Sequence, residues 1–146
     1  MAKSAIDVSK LSILEVHEKE QSITNPEINP KKKIDSSFEI SLTPLYNLTD
    51  NIIKIELAIS IKLEQDGKQY AGVGRFSYDF LYKYENLKDL MDPDGALNPE
   101  IFLTCSNISY STLRGIIYSK SSNTCIDNIL LPVVSGSELL AGIEPD

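Results

Sequence analysis

Residues 52–64 read Ile-Ile-Lys-Ile-Glu-Leu-Ala-Ile-Ser-Ile-Lys-Leu-Glu. Gln65 and the pair Asp66-Gly67 follow, and then residues 68–84 read Lys-Gln-Tyr-Ala-Gly-Val-Gly-Arg-Phe-Ser-Tyr-Asp-Phe-Leu-Tyr-Lys-Tyr. In the first run Ile53, Ile55, Leu57, Ile59, Ile61 and Leu63 share one parity, and Lys54, Glu56, Ala58, Ser60, Lys62 and Glu64 share the other. A period of two over this length predicts a strand with one buried and one wet face. Asp-Gly favours the positive φ angles of a two-residue hairpin turn. The second run places Tyr70, Gly72, Gly74, Phe76, Tyr78, Phe80, Tyr82 and Tyr84 on one parity. With Gln65 facing Lys68, Leu57 falls opposite Phe76, Ile55 opposite Tyr78 and Ile53 opposite Phe80. Lys54 then meets Asp79 on the wet face, a favourable cross-strand pair. The aromatic stripe reads as core, or alternatively as core whose distal end, Tyr82 and Tyr84, lies at a groove edge.

Outward from this hairpin, Phe38, Ile40 and Leu42 alternate with Glu39, Ser41 and Thr43, which predicts a further strand before Pro44. Within residues 6–16 the apolar parity changes from Ile6 and Val8 to Leu11 and Ile13, and again to Leu14 and Val16. That change predicts a strand with a bulge or break. Residues 17–37 hold Asn25-Pro26, Asn29-Pro30 and Lys31-Lys32-Lys33 and read as a long solvated connector. Four strands in a meander-like order result.

The last third changes period. Tyr110, Leu113, Ile116 and Ile117 predict a helix over residues 107–121, capped by Asn107, with Asn98-Pro99 breaking the chain before it. The apolar run Ile129-Leu130-Leu131 ends at Pro132, and residues 137–141 read as a short final helix. Strands first and helices last describe an α+β domain: a four-stranded antiparallel sheet with a long and a short C-terminal helix on one side. The 146 residues are the size of one domain, with residues 143–146 expected to form a flexible tail.

The chemistry the sequence leaves out is equally informative. No run approaches the roughly 20 apolar residues that cross a bilayer, and the N-terminus lacks an apolar signal core. The chain is therefore expected to be cytoplasmic. Its two cysteines, Cys105 and Cys125, are expected to be free thiols at opposite ends of the helix. A net charge of −7 repels phosphate backbones, so no nucleic-acid partner is expected. His17 is the one histidine, with neither a second histidine nor a Cys-x-x-Cys to complete a metal site. There is no Gly-x-Ser-x-Gly elbow, and Gly72-x-Gly74 lies inside a strand rather than at a nucleotide-binding turn. With no nucleophile, base, metal or cofactor set, the chain reads as a binding protein rather than an enzyme.

Cys105-Ser106-Asn107-Ile108, with Arg114 nine residues after the cysteine and then Ile117, is similar to the helix-entry signature of the SecB export chaperones. In that family a Cys-Pro-Asn-Ile-type tetrapeptide leads into the long helix. Leu131-Pro132-Val133 resembles the family's Ala-Pro-Val/Ile element before the last helix, and the four strands match its sheet. The resemblance spans residues 6–140 and implies a cytoplasmic holder of unfolded polypeptides. It also implies a dimer of dimers in which the long helix lies between subunits. On this resemblance clients are expected at Phe38, Ile40, Leu42, Tyr46, Leu139 and Leu140. A homotetramer is expected to use Leu113, Ile116, Ile117 and Tyr118 for inter-subunit or sheet packing. The chain departs from the family at Ser106 and Ser111, where prolines are usual, and at residues 123–127, where a Gly-rich loop is usual. It also has Ala71, Val73 and Arg75 where the family presents acidic groups to the secretion motor ATPase. Those last departures argue against motor docking and favour a SecB-like duty outside general export, such as control of a toxin–antitoxin pair. The alternative is a dedicated interaction module on the same fold.

Overall fold

The computed structural model describes residues 6–29, 31–127 and 131–141. Ile129, Leu130 and residues 143–146 lie outside the described residues. The strands are β1 (Leu11–Ile23), β2 (Asp35–Asn47), β3 (Ile52–Gln65) and β4 (Lys68–Tyr84), and the helices are α1 (Pro99–Lys120) and α2 (Gly136–Leu140). All strand pairs are antiparallel.

The central hairpin forms as its alternation dictates. Ile53, Ile55, Leu57, Ile59, Ile61 and Leu63 are each at most 1 % exposed. Asp66 and Gly67 take φ angles of 53° and 78°, the two positive values of a type I′ turn. Tyr82 and Tyr84 are buried together with Phe76, Tyr78 and Phe80, so the aromatic stripe from Phe76 to Tyr84 is core, while Tyr70 near the turn is half-buried.

The pairing away from the turn differs from the expected register by two residues. Leu63 still faces Tyr70, but Ile61 faces Gly74, and from there Leu57 lies opposite Tyr78, Ile55 opposite Phe80 and Ile53 opposite Tyr82. The cause is a bulge in which Ala71, Gly72 and Val73 stand across from Lys62 alone, with Gly72 at φ 64°. Two added residues preserve parity, so every side chain stays on its expected face. Lys54 now stands opposite Leu81, yet its Nζ still reaches Asp79 Oδ2 diagonally at 3.5 Å.

The strand order is β1-β4-β3-β2 rather than a simple meander. β1 returns beside β4, a Greek-key arrangement that leaves β1 and β2 as the two edges. The parity change near Leu14 is a bulge between Ile13 and Glu15, and a second one lies between Glu18 and Glu20. β1 runs on to Ile23, so the connector covers residues 24–34 rather than 17–37. It is pinned by Gln65, whose Oε1 accepts from Asn29 N and whose Nε2 donates to Asn29 O, both at 2.8 Å. β2 continues through Pro44, which an edge strand tolerates because one side of it has no ladder to complete.

α1 begins two turns earlier than residue 107. Asn98, not Asn107, is its cap: Asn98 Oδ1 accepts from Glu100 N at 3.1 Å, and Pro99 sits in the first turn, where no N–H is needed. The Cys105-Ser106-Asn107-Ile108 tetrapeptide therefore lies inside the helix rather than at its entry. Ile101, Cys105, Leu113 and Ile117 are buried on one side of α1, and the helix packs over β3, β4 and β2.

Candidate polypeptide-binding site

β2 builds the candidate site. Phe38, Ile40, Leu42, Pro44 and Tyr46 lie opposite Ile61, Ile59, Leu57, Ile55 and Ile53, so all five share the helix-side face of an edge strand. The helices cover this strip unevenly. α2 packs on β2, and Ile40 is 8 % exposed while Phe38 and Leu42 are half-buried. Tyr46 is 46 % exposed, its ring 5.9 Å from that of Phe102 on α1. The result is an apolar seam along the sheet edge, partly roofed by α2 and open at the Tyr46 end.

The roof is anchored. Tyr82 Oη lies 3.2 Å from Cys105 O and 2.7 Å from Ser109 Oγ, tying α1 to β4. Tyr110 Oη donates to Pro132 O at 2.6 Å, and Tyr118 Oη accepts from Leu131 N at 3.0 Å, holding the chain that leads to α2. Ser135 Oγ caps α2 by accepting from Glu138 N at 3.2 Å. At Gly136 a Cβ would sit 2.7 Å from Leu103 O, so only glycine lets α2 start this close to the α1 backbone.

Of the six expected client contacts, the structure brings Phe38, Ile40, Leu42 and Tyr46 onto one strip and places α2 against it. Leu139 is 4 % exposed and belongs to the core, whereas Leu140 is half-buried. Of the four expected interface residues, Leu113 and Ile117 are buried in the packing of α1 within this chain, and Ile116 and Tyr118 are half-buried.

Sequence reasoning missed a second apolar surface. Ile13 and Val16 lie opposite Tyr82 and Phe80 on the helix side of β1 and are 49 % and 41 % exposed; Leu14, in the bulge between them, is 53 % exposed. The signal was the absence of any second apolar run long enough to roof both sheet edges.

The opposite face of the sheet is polar. Lys19 and Lys54 bridge Asp79 at 3.7 and 3.5 Å and Glu56 at 3.9 and 3.4 Å, relieving the contact of two carboxylates that face each other in the register. His17 is exposed, 3.8 Å from Glu15. Arg75 is exposed on β4, while Val73 is buried. Both cysteines are free. Among the described residues no group of three His, Cys, Asp or Glu side chains is placed to hold a metal, and no helix is long and apolar enough to cross a membrane.

No family model and no curated protein matches the sequence. Among solved structures, the fold is similar to that of the Mycobacterium tuberculosis SecB-like chaperone Rv1957 in complex with a ChAD peptide from the HigA1 antitoxin Rv1956. The TM-score is 0.63 at 14 % identity, covering 88 % of this chain and 92 % of that one. The fold is SecB-like.

Proposed function

We propose that this SecB-like chain is a cytoplasmic chaperone that holds extended, non-native polypeptide along the helix-side strip of β2. The observation that carries the reading is the strip itself: aliphatic and aromatic side chains in line, half covered by a short helix, on an edge strand. Apolar contact is non-directional and tolerates many sequences, which suits a holder of unfolded segments. The net charge of −7 keeps an apolar surface of this kind soluble and favours basic clients. The likeness to a chaperone solved with an antitoxin peptide supports polypeptide as the ligand class.

The same likeness favours a second reading, a dedicated module that serves one partner, such as an antitoxin. Suppression of aggregation of several unrelated denatured proteins tests the first. Activity toward one partner and none of the others supports the second. We further propose a homotetramer that draws on the exposed Ile13, Leu14 and Val16 on β1 together with the half-buried Ile116 and Tyr118 on α1. A mass near the 16.2 kDa monomer by light scattering at micromolar concentration would refute it.

A further inference from the structure

We propose that the polar face of the sheet, turned away from the helices, docks an extended peptide segment in which an acidic side chain stands two residues from a basic one on either side. This surface lies opposite the β2 strip and does not rest on the polypeptide-holding reading.

The register assembles the site. Ser22 stands opposite Arg75, Arg75 opposite Ser60, and Ser60 opposite Glu39. In the neighbouring row Glu20, Ser77, Ala58 and Ser41 stand in line. The floor is therefore made of short side chains, and Glu20, Arg75 and Glu39, all exposed, line one shallow cleft above it. The bulge in β4 positions the cation among them. A Cβ on Gly72 would stand 2.5 Å from Arg75 Nε and Nη2, so the guanidinium lies directly against the glycine backbone. Bulges re-aim nearby side chains in this way, and they gather at functional sites. Lys62, the single residue across from the bulge, lines the adjoining cleft together with Glu39.

These charges have no partners of their own. Elsewhere on the same face Lys19 and Lys54 reach Asp79 and Glu56 at 3.4–3.9 Å. Arg75, Lys62, Glu20 and Glu39 form no ion pair among the described residues. Across the sheet they read acid on β1, cations on the two central strands, acid on β2. Adjacent strands lie about 4.8 Å apart, so the step from Glu20 to Glu39 covers about 14 Å of sheet width. In an extended peptide, residues i, i+2 and i+4 share one face, and i to i+4 covers about 13 Å. A strand laid across the sheet at a steep angle, as in orthogonal sheet packing, sets lysine or arginine at i and i+4 over the two glutamates. Its residue i+2 then falls over Arg75 and Lys62, where a carboxylate can accept two parallel N–H bonds from the guanidinium. The low floor lets the peptide backbone approach.

The test uses the full chain at low ionic strength and three fluorescent, end-blocked five-residue peptides. One alternates lysine, serine, glutamate, serine and lysine. The second has glutamine at its centre, and the third exchanges every lysine for glutamate and the glutamate for lysine. The first is expected to bind, with amide shifts in NMR at Ala58, Ser60, Arg75 and Ser77. The central glutamine should weaken binding about threefold or more, the scale of one well-formed surface charge pair, and the charge-reversed peptide should not bind. Arg75→Ala should weaken the glutamate peptide by a similar factor and leave the glutamine peptide unchanged. Arg75→Glu should come to prefer lysine at the peptide's centre. Leu42→Ser/Tyr46→Ser, altered on the other face, should bind the first peptide as the wild type does. Equal binding of all three peptides, shifts confined to the helix side, or no binding by the wild type overturns the site and leaves the reading of the β2 strip untouched.

Discussion

Gly72 carries the two-residue shift of the central hairpin at a φ of 64°, a region in which a side chain costs about 1–2 kcal/mol. A Cβ there would also come within 2.5 Å of Arg75 Nε and Nη2. Gly72→Ala is therefore expected to lose about 1–2 kcal/mol in urea unfolding. Arg75→Ala in the same chain should not restore it, because Arg75 can swing away but the backbone strain remains. Full recovery in the double variant would move the cause to the side-chain clash. Burial acts on titration in the same concrete way. It pushes the Cys105 thiol up to about 12, so Ellman's reagent is expected to modify Cys105 only on unfolding. Burial likewise raises Tyr82 and Tyr110 to about 12, whereas the unfolded chain ionises near 10. Between these values the unfolded state has shed protons that the folded state keeps. The contribution of these two tyrosines is thus whole below pH 10 and falls as pH rises from 10 toward 12, and the Cys105 thiol, ordinarily near 9, starts the decline from about pH 9. Thermal melts across that window should show the decline, with ionisation of Tyr82 and Tyr110, followed residue by residue by NMR, rising together with unfolding; ionisation of either in the native state near pH 10 would contradict it.

At the scale of elements, what the sequence displayed depended on how each element is buried. β3 is covered on one face along its length, so its alternation was plain. The register differs because a bulge of two extra residues leaves the turn and the parity untouched and keeps Lys54 within reach of Asp79, so turn chemistry, parity and charge pairing are all satisfied by either register. The second half of β1 is an edge strand with both faces largely exposed; with no apolar period it read as connector. In sequence Asn98-Pro99 looks like a break, which shortens the helix expected after it, but the same pair is a cap followed by the first helical turn, where proline fits. Asn98→Ala is expected to cost about 1 kcal/mol of stability, whereas Asn107→Ala, exposed in mid-helix, should change it by less than about 0.5 kcal/mol. Equal effects in chemical denaturation would contradict the placement of the helix start.

For the whole molecule, one long helix and one short one must roof a sheet with two edges. The helices follow β4, β3 and β2, and what they leave uncovered is β1 on one side and the open end of the β2 strip on the other. Three of the six expected client residues, Phe38, Ile40 and Leu42, are legible as an alternating run, but the partial exposure of Phe38 and Leu42 is not, since alternation looks the same under a full roof or half of one. Leu139 shows the limit: its side chain belongs to the core, so Leu139→Ser is expected to destabilise the fold by roughly 2–5 kcal/mol and cannot report on binding alone. Leu42 and Tyr46, half-buried and exposed, can. The central claim is that this strip holds non-native chain. The most direct measurement is the affinity of a permanently unfolded protein, such as reduced and carboxymethylated α-lactalbumin, for the wild type and for Leu42→Ser/Tyr46→Ser, with circular dichroism and thermal melts showing both folded. The account predicts binding by the wild type and a loss of about tenfold or more in the variant. Unchanged affinity in a folded variant would contradict it.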